Sequence, residues 1–221
     1  MNRETSETRP KLVSFSGIDG AGKSTQIDTL GTRLREAGLR VGLIVFWDDV
    51  AMLIRFRAFT SHALFKGDKG VGTPDKPLER RDKNVRSWYM TPLRLFLYFL
   101  DAASLTFVVA KARRSDAHVV IFDRYLYDEL ANLSQKDRIA RAYIRLLLKL
   151  VPSPDVAFLL DADPVQARAR KPEYPLEFLQ TIRAAYLALS CQVSPMKVIS
   201  PLSPDDVSRQ VMEEMSRKFA R

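Results

Sequence analysis

The sequence predicts an α/β protein in which a five-stranded parallel sheet is covered by helices on both faces. Three observations predict it. Five short apolar runs lack the polar alternation of a half-exposed strand: "KLVSFS" (11–16), "VGLIVF" (41–46), "HVVIFD" (118–123), "VAFLLD" (156–161) and "MKVIS" (196–200). Amphipathic segments separate them, so strand and helix take turns along the chain, as a parallel sheet requires. Finally, all nine glycines precede residue 73, and the first three stand together between the first apolar run and the first helical one.

Taken in order, the first strand leads through "GIDGAGKST" into a helix whose inner face is Ile27, Leu30 and Leu34, and Gly38 stands where a left-handed cap is wanted. After the second strand come "FWDDVAML" (46–53) and the polar stretch "FKGDKGVGTPDKPLERRDKN", so residues 66–90 are expected to form a mobile loop. The basic cluster "LERRDKNVRSWY" (78–89) reads as a solvated loop. The run "PLRLFLYFLDAASLTFVVAKA" (92–112) is nearly long enough to span a bilayer but carries Arg94 and Asp101, which are costly in lipid. It reads as a core helix, and no membrane partner is expected. A later helix has Ile139, Tyr143, Leu146 and Leu150 on one face, with a start at Ser134 and Asp137 three residues on. Another has Phe178, Ile182, Tyr186 and Leu189. The last opens at Ser203–Pro204 and turns Val207, Val211, Met215 and Phe219 inward.

The chain thus reads as a single domain over residues 1–221, with a flexible N-terminus over 1–10 and no internal repeat. An apolar content of 46% and 28% charged residues are those of an ordinary globular protein. "MNRETSETRP" has no secretory character, and the lone Cys191 excludes an intramolecular disulfide and a Cys-rich metal site, so a cytoplasmic setting is expected. A net charge of +9 asks for a polyanionic partner. That is either a nucleic acid read through its backbone or small phosphorylated ligands in a basic cleft. No helix-turn-helix, RNA-binding or zinc-finger signature is present, so a nucleic-acid partner is not expected. His62 and His118 have no partners at ligand spacing and are assigned no role.

Gly17–Ile18–Asp19–Gly20–Ala21–Gly22–Lys23–Ser24 matches G-x-x-x-x-G-K-[ST] between a strand and a helix. Glycines let the backbone wrap an oxyanion with its N–H groups turned inward, and the helix N-terminus adds its dipole. Lys23 would reach the β- and γ-phosphates, and the Ser24 hydroxyl would join a Mg²⁺ shell. The expected fold is therefore a P-loop NTPase-type three-layer α/β fold. Its cofactor-binding residues would be Gly17, Asp19, Gly20, Ala21, Gly22, Lys23, Ser24 and Thr25.

"FSGIDGAGKSTQ" (15–26), "VVIFDRYLYD" (119–128) and "FLLDADP" (158–164) followed by "EFLQTIRAAYLAL" (177–189) come in the order and spacing of one family. The chain resembles the thymidylate kinases, among the P-loop nucleoside monophosphate kinases. The resemblance implies transfer of the γ-phosphate of ATP to a nucleoside monophosphate, dTMP to give dTDP, with Mg²⁺. It implies that Asp19 faces the acceptor's sugar or helps hold Mg²⁺, that Arg124 clamps the acceptor phosphate, and that Asp123 supports the metal. The resemblance further implies a catalytic cation supplied either by the phosphate loop or by a lid; with no basic residue at the loop's variable positions, it points to the short lid over 163–175, in the order Arg168, Arg170, Lys171. It places Tyr98 where the family stacks an aromatic on the acceptor base.

Three departures follow from the same comparison. Ala102 stands where the family has a base-reading arginine, Asp128 where it usually has a serine, and "FWDDV" where it has Arg-Glu-Pro or Arg-Phe-Pro. Asp48 would either bond the acceptor or Mg²⁺, or cap a helix. These departures leave open a related kinase acting on a nucleoside or a non-nucleotide metabolite. The basic charge leaves open an NTP-hydrolysing, nucleic-acid-associated protein. The apolar 92–112 helix is compatible with a homodimer.

Overall fold

The computed structural model describes residues 9–51, 90–134, 137–194 and 196–219. The loop expected over 66–90 lies outside the described residues up to Trp88–Tyr89, as do residues 1–8, His62 and the 78–89 cluster. The elements are β1 (Lys11–Ser16), α1 (Lys23–Glu36), β2 (Val41–Val45), a π-helical turn (Phe46–Val50), α2 (Met90–Ala112), β3 (Val119–Asp123), α3 (Leu126–Leu130), α4 (Arg138–Leu150), β4 (Val156–Leu160), α5 (Pro164–Arg170), α6 (Leu176–Ser190), β5 (Met196–Ile199) and α7 (Pro204–Phe219). The five strands lie in the order β2-β3-β1-β4-β5. All four neighbouring pairs are parallel. Each expected strand is present to within a residue or two; the central β1, β3 and β4 are buried on both faces, as near-continuous apolar runs imply, while the edge strands β2 and β5 leave Leu43 and Val198 exposed.

Successive strand residues feed opposite layers. Leu12, Val120, Phe122, Ala157 and Leu159 pack against α2, α3, α4 and α6. Val13, Phe15, Ile121, Phe158 and Leu160 pack against α1 and α7, through Ile27, Leu30, Leu34, Val211 and Met215. The register sets Phe15 beside Asp123 on one side and Phe158 on the other, with Val45 level with Asp123. The C-terminal ends of the central strands therefore line up along one edge of the sheet. There the chain leaves β1 towards β2 on one side and reaches β4 on the other, which is where open α/β sheets bind their ligands.

Helix α2 buries one face, through Tyr98, Ala102, Leu105, Val109 and Ala112, together with the fully buried Asp101. Its opposite face leaves Phe96, Phe99 and Phe107 exposed. It is long and apolar enough to cross a membrane by length and composition, the one such helix among the described residues.

Helix α4 differs from the expectation. It is capped by Asp137, whose carboxylate accepts from the Ile139 and Ala140 amides, and not by Ser134. Its buried residues are Ile144 and Leu147, while Ile139, Leu146 and Leu150 are exposed. The sequence offers two apolar stripes on this helix. The choice between them is made by docking on α2, where the Tyr143 hydroxyl donates to Leu95 O at 2.6 Å. The expected inward faces of α1 and α7 are the ones observed, and Ser203 accepts from the Asp206 amide at the start of α7.

Candidate active site

The loop after β1 is drawn tightly over the sheet edge. Gly17, Gly20 and Gly22 have φ of 144°, 84° and 86°, values that side chains with a Cβ avoid. At Gly20 space is lacking too: a Cβ would lie 2.3 Å from Ala167 O, the backbone of α5. At Gly22, the residue that caps α1, a Cβ would meet nothing within 4 Å. The mouth of α1 is thus open while the far side of the loop is pressed against its neighbour. Gly20→Ala is expected to lose about 3 kcal/mol of unfolding free energy, from backbone strain plus overpacking. Gly22→Ala should lose only about 1 kcal/mol from strain. Equal losses in urea titrations would show that α5 does not press on the loop.

Lys23, the first residue of α1, is buried and donates to Gly17 O at 2.8 Å and to Ile18 O at 3.0 Å. Burial, with the Arg124 charge adding to it, lowers its pKa to about 7 against the pull of Asp19, Asp128 and Asp123. The loop therefore draws this amine towards its neutral form. The Ser24 and Thr25 side chains sit at the exposed start of α1.

At the end of β3, Arg124 is the one non-glycine residue with positive φ among the described residues, at 71°. Its Nη2 donates to Asp19 Oδ1 at 2.5 Å and its Nη1 to Asp128 Oδ1 at 3.2 Å. Burial works against its charge, but Asp128 and Asp19 outweigh it and hold its pKa above the ordinary arginine range. Arg124 makes no ion pair with its neighbour Asp123 and turns to the other two carboxylates instead. Asp123 is half-buried, and burial raises its pKa while Arg124 and Lys23 pull it back.

Asp128 is buried and is the hub of this side. Its Oδ2 accepts from Ser16 Oγ at 2.7 Å and from the Tyr125 amide at 3.1 Å. Its Oδ1 accepts from the Tyr186 hydroxyl at 2.8 Å as well as from Arg124. Burial and the adjacent Asp128 carboxylate push the Tyr186 phenol well up, which keeps it a hydrogen-bond donor.

Two clefts flank the loop. The first is narrow and is lined by Asp19, Trp47, Arg124, Asp128, Phe178 and Tyr186, among others. The second is wider, lies between the end of β4, α5 and the segment leading to α7, and includes Ala21, Asp161, Gln166, Arg170 and Ser203. Gly17, Ile18 and Asp19 face the first and Ala21 the second. The phosphate loop is the partition between them.

Most of the expected site residues gather here, but Tyr98, Asp48 and Arg168 line neither cleft. Tyr98 is 5% exposed, packed with Ala102 in the core beneath α2, and is not among the residues lining the first cleft. The aromatic walls are Trp47 and Phe178 instead, because the "FWDDV" turn folds back over the sheet edge and α6 covers it. Asp48 is exposed and lines neither cleft. Its neighbour Asp49 accepts from the Val45 amide at 2.7 Å, the local-cap arrangement. On α5, Arg170 lines the second cleft and its Nε donates to Gln166 O at 3.3 Å. Arg168 is half-buried and has no partner among the described residues. Lys171 is paired with Glu173 at 3.4 Å.

Sequence reasoning did not single out Trp47, Asn132 or the Asp128 hub as parts of one cleft. It also missed the bidentate pair in which Arg183 Nε and Nη2 donate to Asp161 at 2.6 and 2.7 Å, tying α6 to the end of β4. The available signal was positional: an acid just past the last buried residue of a strand, and an arginine on the helix that returns over it.

A strand, a glycine loop gripping a buried lysine, and a helix whose mouth stands open, set at the edge of a parallel sheet, define a P-loop fold. A family model described as Methylmalonyl Co-A mutase-associated GTPase MeaB matches residues 3–49, the part that carries β1, the loop, α1 and β2. Over nearly the whole chain the likeness is to another group. A probable thymidylate kinase of Pyrobaculum aerophilum is 30% identical over 216 residues, covering 93% of this chain and 96% of that one. The thymidylate kinase of Prosthecochloris aestuarii is 28% identical, covering 94% of each. Among solved structures, the thymidylate kinase of Candida albicans superposes with a TM-score of 0.62 at 18% identity, over 95% of this chain and 93% of that one. The protein belongs to the thymidylate kinase family.

Proposed function

We propose that the protein transfers the γ-phosphate of ATP to a nucleoside monophosphate, dTMP first, giving ADP and dTDP. The observation that carries this reading is the pair of clefts meeting at one phosphate loop, one of them furnished with an arginine at its floor. An acceptor phosphate oxygen would attack the γ-phosphorus as its bond to the β–γ bridging oxygen breaks, so both nucleotides must meet at the partition. Such transfer needs positioning and cations more than covalent help. The loop amides and Lys23 would hold the β- and γ-phosphates, Arg124 the acceptor phosphate, and Arg168, followed by Arg170, the transferring group. The open space at Gly22 and the exposed Ser24 hydroxyl fit a triphosphate with magnesium, which Ser24 and Asp123 would hold. Magnesium supplies charge neutralisation at the phosphate oxygens when bound. A cytoplasmic enzyme goes with this reading, and the exposed Phe96, Phe99 and Phe107 support a homodimer with that stripe covered by a second copy.

The test is ADP release across deoxy- and ribonucleoside monophosphates and the free nucleosides. The expected result is the highest kcat/KM with dTMP; ATP binding without turnover of any monophosphate would overturn the reading. A specific observation favours a second reading, a nucleoside acceptor. Arg124 is already engaged by two carboxylates, and the base-reading arginine position holds Ala102. Faster turnover of thymidine than of dTMP would select it.

A further inference from the structure

The two carboxylates on Arg124 are not equivalent. Asp128 is enclosed, with four donors on its two oxygens: Ser16 Oγ, the Tyr125 amide, the Tyr186 hydroxyl and Arg124 Nη1. Asp128 also lies on α3, the helix that begins two residues after Arg124 itself. Asp19 stands on the phosphate loop, lines the same cleft, and meets the other edge of the guanidinium through Nη2. One edge of Arg124 is therefore held by a fixed carboxylate and the other by one on the loop that must accommodate a ligand. The backbone at Arg124 is left-handed, and a strained residue persists only where its surroundings over-determine it. A buried carboxylate bonded to both the Tyr125 amide and the Arg124 side chain supplies that determination.

Resting on the phosphate-acceptor reading above, we propose that Asp128 is a positioning residue that permanently holds one edge of Arg124, and that the acceptor's phosphate takes the other edge by displacing Asp19. A serine at position 128 would carry no charge and could not fix the guanidinium as a carboxylate does. With Asp128 in place, Arg124 cannot follow Asp19 when the loop moves. Asp19 acts as an internal anion occupying the phosphate's place, and its release frees it for the acceptor's sugar or for magnesium. The two acids, both bonded to one arginine, are thus assigned opposite effects on the same binding event.

The experiment is calorimetric titration of the full-length chain with dTMP and, separately, with thymidine. The dissociation constant for thymidine divided by that for dTMP is the ratio that reads what the phosphate contributes, apart from base and sugar contacts. In Asp128→Asn the ratio should fall by about tenfold or more, the scale of a lost hydrogen bond to a charged group, while ATP affinity holds. In Asp19→Asn the ratio should rise by several-fold, because the competing anion is gone. An unchanged ratio in Asp128→Asn, or a fall in Asp19→Asn, overturns the proposal. Should Asp128→Asn fail to fold, the sign of the change in Asp19→Asn, a partly exposed loop residue, decides alone. A wild-type ratio near one would instead sink the phosphate-acceptor reading itself, and this inference with it. A merely structural role for Asp128 would lower thermal stability and leave the ratio where it was.

Discussion

Arg168→Ala is expected to slow turnover by about 10³-fold or more, with the KM for either nucleotide changed much less, whereas Arg170→Ala should cost under about tenfold. Charge spreads over the transferring phosphoryl group in the transition state, and an arginine delivered to it is among the largest single contributions to such reactions. The loop's own variable residues, Ile18, Asp19, Gly20 and Ala21, carry no positive charge. Helix α5 lies against the loop, its Ala167 carbonyl set close to Gly20. Of the cations that α5 and its C-terminus carry, Lys171 is paired with Glu173 and Arg170 leans on Gln166 in the second cleft. Arg168 adjoins Ala167, is half-buried, and is held by no partner among the described residues. Single-turnover kinetics measures the chemical step directly; a larger loss in Arg170→Ala than in Arg168→Ala would reverse the assignment.

Lys23→Ala is expected to lower the rate of transfer by about 10²- to 10³-fold, the scale seen when one preorganised donor to a developing charge is removed. Its charge state also predicts a pH dependence. Burial and the Arg124 charge bring the Lys23 pKa down from 10.5 to about 7. The unfolded chain keeps that proton until pH approaches 10.5, so between the two values the unfolded state binds more protons than the folded one. The nucleotide-free protein should therefore gain stability as pH rises through this window, and Lys23→Met should remove that gain. A triphosphate pulls the other way by favouring the ammonium form. ATP binding above pH 7 should thus take up a proton, and its affinity should fall as pH rises, by at most about tenfold per unit. Titrations in buffers of different ionisation enthalpy detect the uptake; pH-independent affinity between 7 and 9 would mean that the amine stays charged throughout.

How much of the site was legible depends on how local its causes are. The loop from Gly17 to Ser24 could be read from sequence because each glycine answers a local backbone demand and the lysine and serine follow at fixed positions on the first helical turn. Asp123 and Arg124 could be placed at the sheet edge because a strand's end shows in the apolar run before it. The partners of Arg124 could not be placed so. Asp19 and Asp128 reach it from a loop 105 residues away and from the next helix, and nothing in "DRYLYD" says that Arg124 will turn from Asp123. Tyr98 went to the core for a related reason. The periodicity of α2 fixes which residues share a face, yet which face meets the cleft is settled by α3, α4 and the π-helical turn, packed beside it.

By itself the sequence determined the parallel α/β architecture, its five strands and the anion-gripping turn, because these follow from hydrophobic period and backbone sterics over a few residues. Only the tertiary structure decided the rest: that Trp47 and Phe178, and not Tyr98, wall the first cleft, that Asp128 gathers four donors, and that α4 shows Ile139 to solvent. Those outcomes depend on the relative placement of elements far apart in the chain, where packing chooses among faces that local chemistry leaves equally acceptable.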